Sequence, residues 1–310
     1  MHRSINLAGD SFTMQSFPTQ QSLRDFYAPF GCDGVEVVLC GPVPDQVHGQ
    51  VNGLHLIFYT SFIDFWRGDE AALLKEFGTP EVWQQFYEAK RGEELEVILR
   101  GQAETAKALG AKYMVFHMGD NRLEEFYTGR KKYTDRQVVE ACCQFVDRAL
   151  DGFSGPTLLL ENMWSGGMTL EDPDLVRLAL DSITYADRGL LLDTGHLMAT
   201  RPGLKNEEEG LAYVHERLEK LGEDASAIRG MHLHCAAPTV SPFGTPPQGD
   251  FWQRFSRAYG HLNEVDPHRP CPQGIALARE LGVEYLTYEL SYGDLADWRQ
   301  KLSAQTGVRL

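Results

Sequence analysis

Eight short apolar runs alternate along the chain with amphipathic or irregular segments. Three consecutive leucines at 158–160, and again at 190–192, are typical of strands buried on both faces, which occur in parallel sheets covered by helices. Helical patterns separate many of the runs, as at 134–150, where Thr134 is the predicted N-cap. The predicted strands are 3–8, 34–39, 53–59, 113–118, 157–162, 189–194, 228–234 and 284–290. This alternation predicts an α/β fold, a (β/α)8 TIM barrel formed by residues 1–310 as one domain.

Five of the predicted strands end in a carboxylate or a histidine. In GLLLDTGHLM, residues 189–198, Asp193 and His196 closely follow the leucines. The residues at the other strand ends are His117, Glu161, His232, His234 and Glu289. The carboxyl ends of barrel strands meet at one face, and oxygen and nitrogen donors gathered there are suited to bind a metal ion. The recurrence favours a metal site, although Asp193 taken alone is equally suited to cap the segment after its strand.

Two polar residues within predicted strands leave alternatives open. Glu36 lies between valines in the second strand. It either belongs to a hydrogen-bonded pair in the barrel interior, which is the favoured interpretation, or it reaches the site. His55 in the third strand is a further ligand, a substrate contact or a buried histidine with a hydrogen-bond partner.

Two connections are unusually long, and both are expected at the carboxyl end of the barrel. Residues 60–92 are rich in aromatic side chains and form a lid, a dimer contact of a homo-oligomer, or a local helical hairpin on the rim. Residues 236–274 are rich in proline and glycine, with a short helical pattern at 251–259. Asp266 and His268 in this loop either cap the last helix, which is slightly favoured, or reach into the cleft.

The charge limits the classes of partner. A formal net charge of −15 at pH 7 opposes binding of nucleic acid, which depends on clusters of Lys and Arg. We therefore expect a small neutral or lightly charged ligand. Apolar runs are too short to span a membrane and the first residues lack a signal-peptide pattern, so the sequence predicts a soluble, cytoplasmic protein. The six cysteines form no C-x-x-C pair and are expected to be reduced thiols.

The polar strand ends resemble those of the xylose-isomerase-like TIM barrels, a superfamily of sugar isomerases, ketose 3-epimerases, inositol-catabolism dehydratases and zinc endonucleases of abasic-site repair. The residues that carry the resemblance are LLLEN with Glu161, LLLDTGH with Asp193, GMHLH with His232 and His234, and YEL with Glu289. The resemblance implies one divalent ion, Mn²⁺, Mg²⁺ or Zn²⁺, with a second ion allowed. Its ligands would be Glu161, Asp193, His232 and Glu289, with His234 as the alternative to His232.

The resemblance also implies a reaction. A sugar or sugar-like polyhydroxy carbonyl compound would be isomerised or epimerised through an enediolate, or would undergo a related elimination, with Glu161 and Glu289 as the acid/base pair. The substrate contacts would be His196, His234, His117, His55 and Trp164. One departure opposes a simple ketohexose epimerase: the arginine expected six residues after the strand-seven histidine is Pro238 or Val240 here.

Two other functions stay open. His55, His117 and the run RGMHL resemble the abasic-site endonucleases, which are metal-dependent phosphodiesterases. That class needs three metal ions and an Asp-x-His pair after strand seven, and the loop PTVSPFGTPPQGD lacks this pair. The third alternative is a barrel subunit that binds metal and sugar without catalysis.

Overall fold

A computed structural model describes residues 1–309, and its central feature is a closed barrel of eight parallel strands. Each strand pairs with the next along the chain, and β8 pairs with β1, so that Ser4 lies opposite Thr287. The strands are β1 His2–Ala8, β2 Gly34–Val38, β3 Val51–His55, β4 Tyr113–His117, β5 Thr157–Glu161, β6 Arg188–Asp193, β7 Ile228–Leu233 and β8 Tyr285–Tyr288. The predicted α/β barrel is confirmed.

Fourteen α-helices surround or cap the barrel within residues 1–309. Their bounds are α1 Ser11–Met14, α2 Gln20–Tyr27, α3 Ile63–Arg67, α4 Glu70–Phe77, α5 Pro80–Tyr87, α6 Glu93–Ala108, α7 Leu123–Thr128, α8 Asp135–Ala149, α9 Pro173–Ser182, α10 Thr194–Ala199, α11 Glu207–Leu221, α12 Phe251–Val265, α13 Gly274–Glu280 and α14 Leu295–Thr306. Thr134 caps α8 as predicted, because its hydroxyl accepts a hydrogen bond from the Gln137 amide. Over residues 1–309, none of the helices is long and apolar enough to cross a membrane.

The strand boundaries agree with the sequence except at β3. This strand was expected at 53–59, but it begins at Val51 and ends at His55. Beyond Leu56, the amide of Ile57 donates to the side chain of Gln102 at 2.6 Å instead of to a neighbouring strand. The apolar run therefore continues past the sheet and lines the base of the following insertion.

The insertion after β3 is helical and packs over the loop that follows β4. Its helices α3, α4 and α5 are held together by aromatic rings, as where Phe65 stacks on Tyr87 at 4.2 Å. The carboxylate of Asp64 accepts hydrogen bonds from Arg122 at 2.9 Å, Lys132 at 2.7 Å and Tyr133 at 2.7 Å. The insertion is thus both a local helical unit and a cover fixed to the carboxyl end of the barrel.

The long connection after β7 closes over the same end. It contains α12, which is longer than the helix expected at 251–259. Before α12, the amide of Gly244 donates to the Tyr127 carbonyl at 2.9 Å in the loop after β4. Within α12, the ring of Phe251 lies 4.4 Å from Phe77 of the insertion, and Arg254 donates to the Glu76 carbonyl. The two long connections therefore share one interface.

Asp120, a buried residue under the insertion, gives a first prediction. Its Oδ1 accepts a hydrogen bond from the Ile63 amide at 3.0 Å and another from the Phe62 amide, and burial raises the pKa of its carboxyl to about 7. The folded-state pKa exceeds the unfolded value, so this group lowers the free energy of unfolding as pH rises from about 4 to 7. Asp120→Asn is expected to remove this slope and to stabilise the protein at pH 8 by about 2–4 kcal/mol.

Urea unfolding of both proteins in EDTA at pH 5 and pH 8 measures this effect. The difference between the two proteins isolates Asp120 from the histidines that titrate over the same range. Parallel pH profiles for wild type and variant would contradict a protonated Asp120.

Candidate metal centre

Strand periodicity decides which side chains meet inside the barrel. Successive residues of a strand point to opposite faces, so residues two apart share a face. A small buried cluster inside the barrel consists of Tyr113, Val115, Leu159, Leu191 and Tyr285. Continuing each strand by steps of two from these positions reaches His117, Glu161, Asp193 and Glu289. The middle of the barrel interior is thus filled mainly by apolar and aromatic side chains. The carboxyl end carries a layer of side chains that can bind metal ions.

A central ligand group contains the four residues predicted to bind metal: Glu161, Asp193, His232 and Glu289. One nitrogen or oxygen atom of each lies within 4.8 Å of the others. Nδ1 of His232 is 3.1 Å from Glu161, 3.0 Å from Glu289 and 3.7 Å from Asp193. Asp193 also caps α10, accepting the His196 amide at 2.6 Å. The capping role is therefore realised, and the metal-binding role stays a prediction.

A second ligand group shares Glu161 with the central group. Nε2 of His55 and Nε2 of His117 lie 3.3 Å and 3.0 Å from Oε2 of Glu161. Nδ1 of His55 is 2.9 Å from the Leu56 carbonyl, which fixes this nitrogen as the protonated one and leaves Nε2 to face Glu161. His55 is therefore a buried histidine with a hydrogen-bond partner, and its Nε2 is placed so that it could also be a ligand.

A third ligand group contains His196, Asp266 and His268. Nε2 of His196 and Nε2 of His268 lie 3.5 Å and 3.4 Å from Oδ2 of Asp266. Asp266 and His268 therefore reach the cleft. The slightly favoured expectation that they cap the last helix is wrong, because Asp294 caps that helix. Asp266 and His268 form an Asp-x-His pair after strand seven. The pair lies beyond the segment PTVSPFGTPPQGD, which lacks it.

The chain returns to the site because residue 235 pairs with residue 269. The amide of Cys235 donates to the Arg269 carbonyl at 2.8 Å, and the Arg269 amide donates back at 3.2 Å. Asp266, which directly follows α12, is thereby held beside the end of β7. The signal available in the sequence was the Asp-x-His pair itself, placed at the end of a helix rather than at the end of a strand.

His234 stands between the central and third groups. Its Nε2 lies 3.0 Å from Asp193, its Nδ1 lies 3.3 Å from Asp266, and its ring stacks on His268 with 4.0 Å between centroids. Trp164, the remaining predicted contact, packs on Phe126 at 5.4 Å, and none of the ligand groups in residues 1–309 includes it.

Buried polar atoms without hydrogen-bond partners test whether these groups fit metal ions. Such atoms include Oε2 of Glu161, both carboxylate oxygens of Asp266, Oε2 of Glu289 and Nδ1 of His234. Leaving these atoms unpaired in the interior is costly, whereas a cation satisfies several of them at once. Ligand atoms bound at about 2.1 Å to one ion lie about 3.0–3.6 Å apart, close to the separations measured here. The three groups fit divalent ions.

The charges within the centre balance each other. Burial by itself raises the pKa of Glu289, but His232, His268 and His234 together outweigh burial and hold this pKa well below its ordinary value. Burial lowers the pKa of His232, whereas Glu36 and Glu289 hold it well above its ordinary value. Burial also lowers the pKa of His196, but the neighbouring carboxylates, chiefly Asp193, outweigh burial and raise this pKa to about 9. Metal ions bound to these groups would replace the protons, so binding would release protons and weaken at low pH.

Comparison with known proteins supports the fold. No protein-family model matches the sequence, and no curated protein matches it. Endonuclease IV from Thermus thermophilus is similar in structure, with a TM-score of 0.52, 14% identity, and coverage of 99% of this chain and 98% of that one. A D-tagatose 3-epimerase-like protein has a TM-score of 0.51 at 13% identity, covering 97% and 95%. An IOLI protein with a bound zinc atom has a TM-score of 0.52 at 15% identity, covering 99% and 96%. The chain has the same closed eight-stranded α/β barrel fold as these proteins.

Proposed function

We propose that this protein is a metal-dependent hydrolase of phosphate esters whose centre holds up to three divalent ions. The observation that carries the proposal is the third ligand group, His196, Asp266 and His268, beside two groups that share Glu161. A one-metal isomerase needs only the central group. Adjacent divalent ions are suited to phosphoryl chemistry, because they polarise the phosphate and lower the pKa of an attacking water.

The chain's own residues divide the remaining tasks. Glu161 is fully buried and links the central and second groups, so it fixes their relative position. Glu289 is the most open carboxylate of the central group, with its side chain 19% exposed, and its Oε2 lacks a hydrogen-bond partner. We assign to the Glu289 carboxylate the transfer of a proton to or from the substrate. His234 holds Asp193 and Asp266 in fixed relation.

The surroundings support a small substrate. The insertion after β3 and the connection after β7 meet at the carboxyl end of the barrel, and their contact surface is largely aromatic. A cover of this kind excludes water and favours a compact ligand over an extended polymer. The net charge of −15 also opposes nucleic acid. We propose a phosphate ester of a small, sugar-like molecule.

Sugar isomerisation or epimerisation is the second candidate. The central group alone provides the ligands that this chemistry needs, and Glu161 and Glu289 lie on it as an acid/base pair. His196 and His234 would then contact substrate oxygens. In this function Asp266 and His268 would only position His234, and they would bind no metal ion.

The number of ions distinguishes the two candidates. Protein reconstituted with Zn²⁺ or Mn²⁺ is expected to hold more than one ion per chain, and Asp266→Ala is expected to lose one of them because the third group loses its only carboxylate. Metal analysis after gel filtration measures this. The exposed His48 lies outside every ligand group, so His48→Ala is the control and should keep the wild-type content. One ion in both wild type and Asp266→Ala would favour the isomerase.

The reaction is tested with two panels. Phosphate mono- and diesters of small molecules are assayed for phosphate release, with abasic DNA as the polymeric comparison. Keto- and aldo-sugars are incubated in deuterium oxide with Mn²⁺ and examined for exchange beside the carbonyl. Hydrolysis that depends on Asp266 supports the first candidate. Exchange that disappears in Glu161→Gln and Glu289→Gln but survives in Asp266→Ala supports the second, and inactivity in both panels would favour a binding protein.

A further inference from the structure

We propose that Glu36 is a positioning residue that makes His232 bind its ion through Nδ1, and that Tyr113 and Gly53 hold Glu36 in place. The proposal rests on the metal centre proposed above. It does not depend on which reaction the centre catalyses.

Glu36 lies on β2 inside the barrel, one layer below the ligands. It is buried, and its carboxylate is 2.9 Å from Nε2 of His232. Oε2 of Glu36 also accepts hydrogen bonds from the Tyr113 hydroxyl at 2.7 Å and the Thr287 hydroxyl at 2.9 Å. Two hydroxyl donors and one imidazole thus surround the carboxylate, which satisfies it without water. Both alternatives for this residue are realised, since it is bonded within the barrel and touches a ligand.

This contact determines which nitrogen of His232 is available to an ion. A carboxylate at Nε2 requires a proton there, and the lone pair is then on Nδ1 when the imidazole is neutral. Nδ1 is the nitrogen that faces Glu161 and Glu289. The His232 ring therefore lies between the Glu36 carboxylate at Nε2 and the proposed ion site at Nδ1.

Three other histidines of the centre, His55, His117 and His196, face a carboxylate through Nε2 instead. In His55, Nδ1 faces the Leu56 carbonyl, and in His196, Nδ1 faces the Asn162 carbonyl at 2.9 Å. Backbone carbonyls accept the Nδ1 proton in both, which leaves Nε2 as the ligand nitrogen. Nε2 is also the nitrogen of His117 that faces Glu161. His232 thus differs from His55 and His196, because a carboxylate rather than a backbone carbonyl lies behind its ring.

Space for this arrangement comes from Gly53 on β3. A Cβ built on Gly53 would lie 2.2 Å from Cζ and 2.6 Å from the hydroxyl oxygen of Tyr113. Any side chain at position 53 therefore displaces the Tyr113 ring, and with it the hydroxyl that donates to Glu36. The series runs from Gly53 through Tyr113 and Glu36 to His232.

The experiment is nitrogen-15 NMR of the full chain labelled at histidine and loaded with ¹¹³Cd²⁺. One ligand histidine is expected to show cadmium coupling at Nδ1, whereas the others show it at Nε2, and His232→Asn identifies the signal. Coupling of His232 at Nε2 would overturn the proposal and leave the hydrolase proposal intact. Absence of bound cadmium would overturn the metal centre and this inference together.

Glu36→Gln tests the positioning role separately. The amide keeps the size of the side chain but no longer enforces the Nε2 proton, so cadmium affinity at the central group is expected to fall about 10- to 100-fold. The Nδ1 coupling should weaken or split. Glu76→Gln is the control, because Glu76 is buried in the insertion and bonds the Leu123 amide, away from the ligand groups. Unchanged affinity and coupling in Glu36→Gln would show that Glu36 only supports the barrel.

Discussion

Glu161→Gln is expected to lose the ions of two ligand groups and about 10²- to 10⁴-fold in activity. Glu161 belongs to both the central and the second group, and it faces His55, His117 and His232 in a buried position. Removing the charge of one partner in such a cluster costs about 3–5 kcal/mol, and each 1.4 kcal/mol is a factor of ten in a binding constant or a rate. The neutral amide also offers a poorer ligand oxygen than the carboxylate.

Metal analysis and the rate of the identified reaction measure both effects in the same preparation. Glu140→Gln makes the same chemical change on the outer side of α8, where Glu140 forms only a 4.0 Å ion pair with Arg136, and it should behave as wild type. If Glu161→Gln retained the full metal content, the sharing of Glu161 between two groups would be wrong.

Gly195→Ala is expected to destabilise the protein by about 3 kcal/mol or more and to disorder the third ligand group. A Cβ at position 195 would lie 1.9 Å from Cε1 and 2.2 Å from Nδ1 of His234. The His234 ring cannot move aside easily, because it is bonded to Asp193 and stacked on His268. Overpacking of a buried site typically costs about 1–3 kcal/mol, and displacement of a bonded imidazole adds to this. The close approach of the His234 ring therefore requires glycine at position 195, in the DTGH motif.

Urea unfolding in EDTA gives the stability change, and metal analysis gives the loss of the ion. Gly101→Ala is the matched control, since position 101 in α6 has no atom within 4 Å of a built Cβ. Alanine there should raise the free energy of unfolding by about 0.5–1 kcal/mol, because glycine is a poor helix former. Equal stability of Gly195→Ala and wild type would show that the His234 ring has freedom that the packing does not indicate.

The barrel and its central group could be predicted because both follow from local sequence. Buried strands of a parallel sheet consist of apolar runs, and a polar residue that ends such a run lies at the carboxyl end of the barrel. Glu161, Asp193 and Glu289 are each placed by this rule. His55 could not be assigned a role in this way, because its strand was expected to continue to residue 59 and the histidine then lies mid-strand, whereas β3 ends at His55.

The third ligand group could not be predicted, because it depends on where a long connection returns. Asp266 and His268 follow α12 and are more than thirty residues beyond β7 in the sequence. Their position is set by the pairing of Cys235 with Arg269, a contact that leaves no periodic pattern in the sequence. Glu36 was recognised as a buried bonded residue, but its contact with His232 depends on the register between distant strands, which apolar runs do not specify.

The aromatic contact between the two long connections has a consequence for motion. Phe77 and Phe86 of the insertion pack on Phe251 and Phe255 of α12, with ring centroids 4.4 Å apart for Phe77 and Phe251 and 5.5 Å apart for Phe86 and Phe255. Separating the two segments exposes this apolar surface to water at a cost of about 25 cal/mol per Å². We therefore expect them to open as one body, with amide hydrogens of α5 and α12 exchanging at a common rate, and substrate entry and product release to depend on the same opening step.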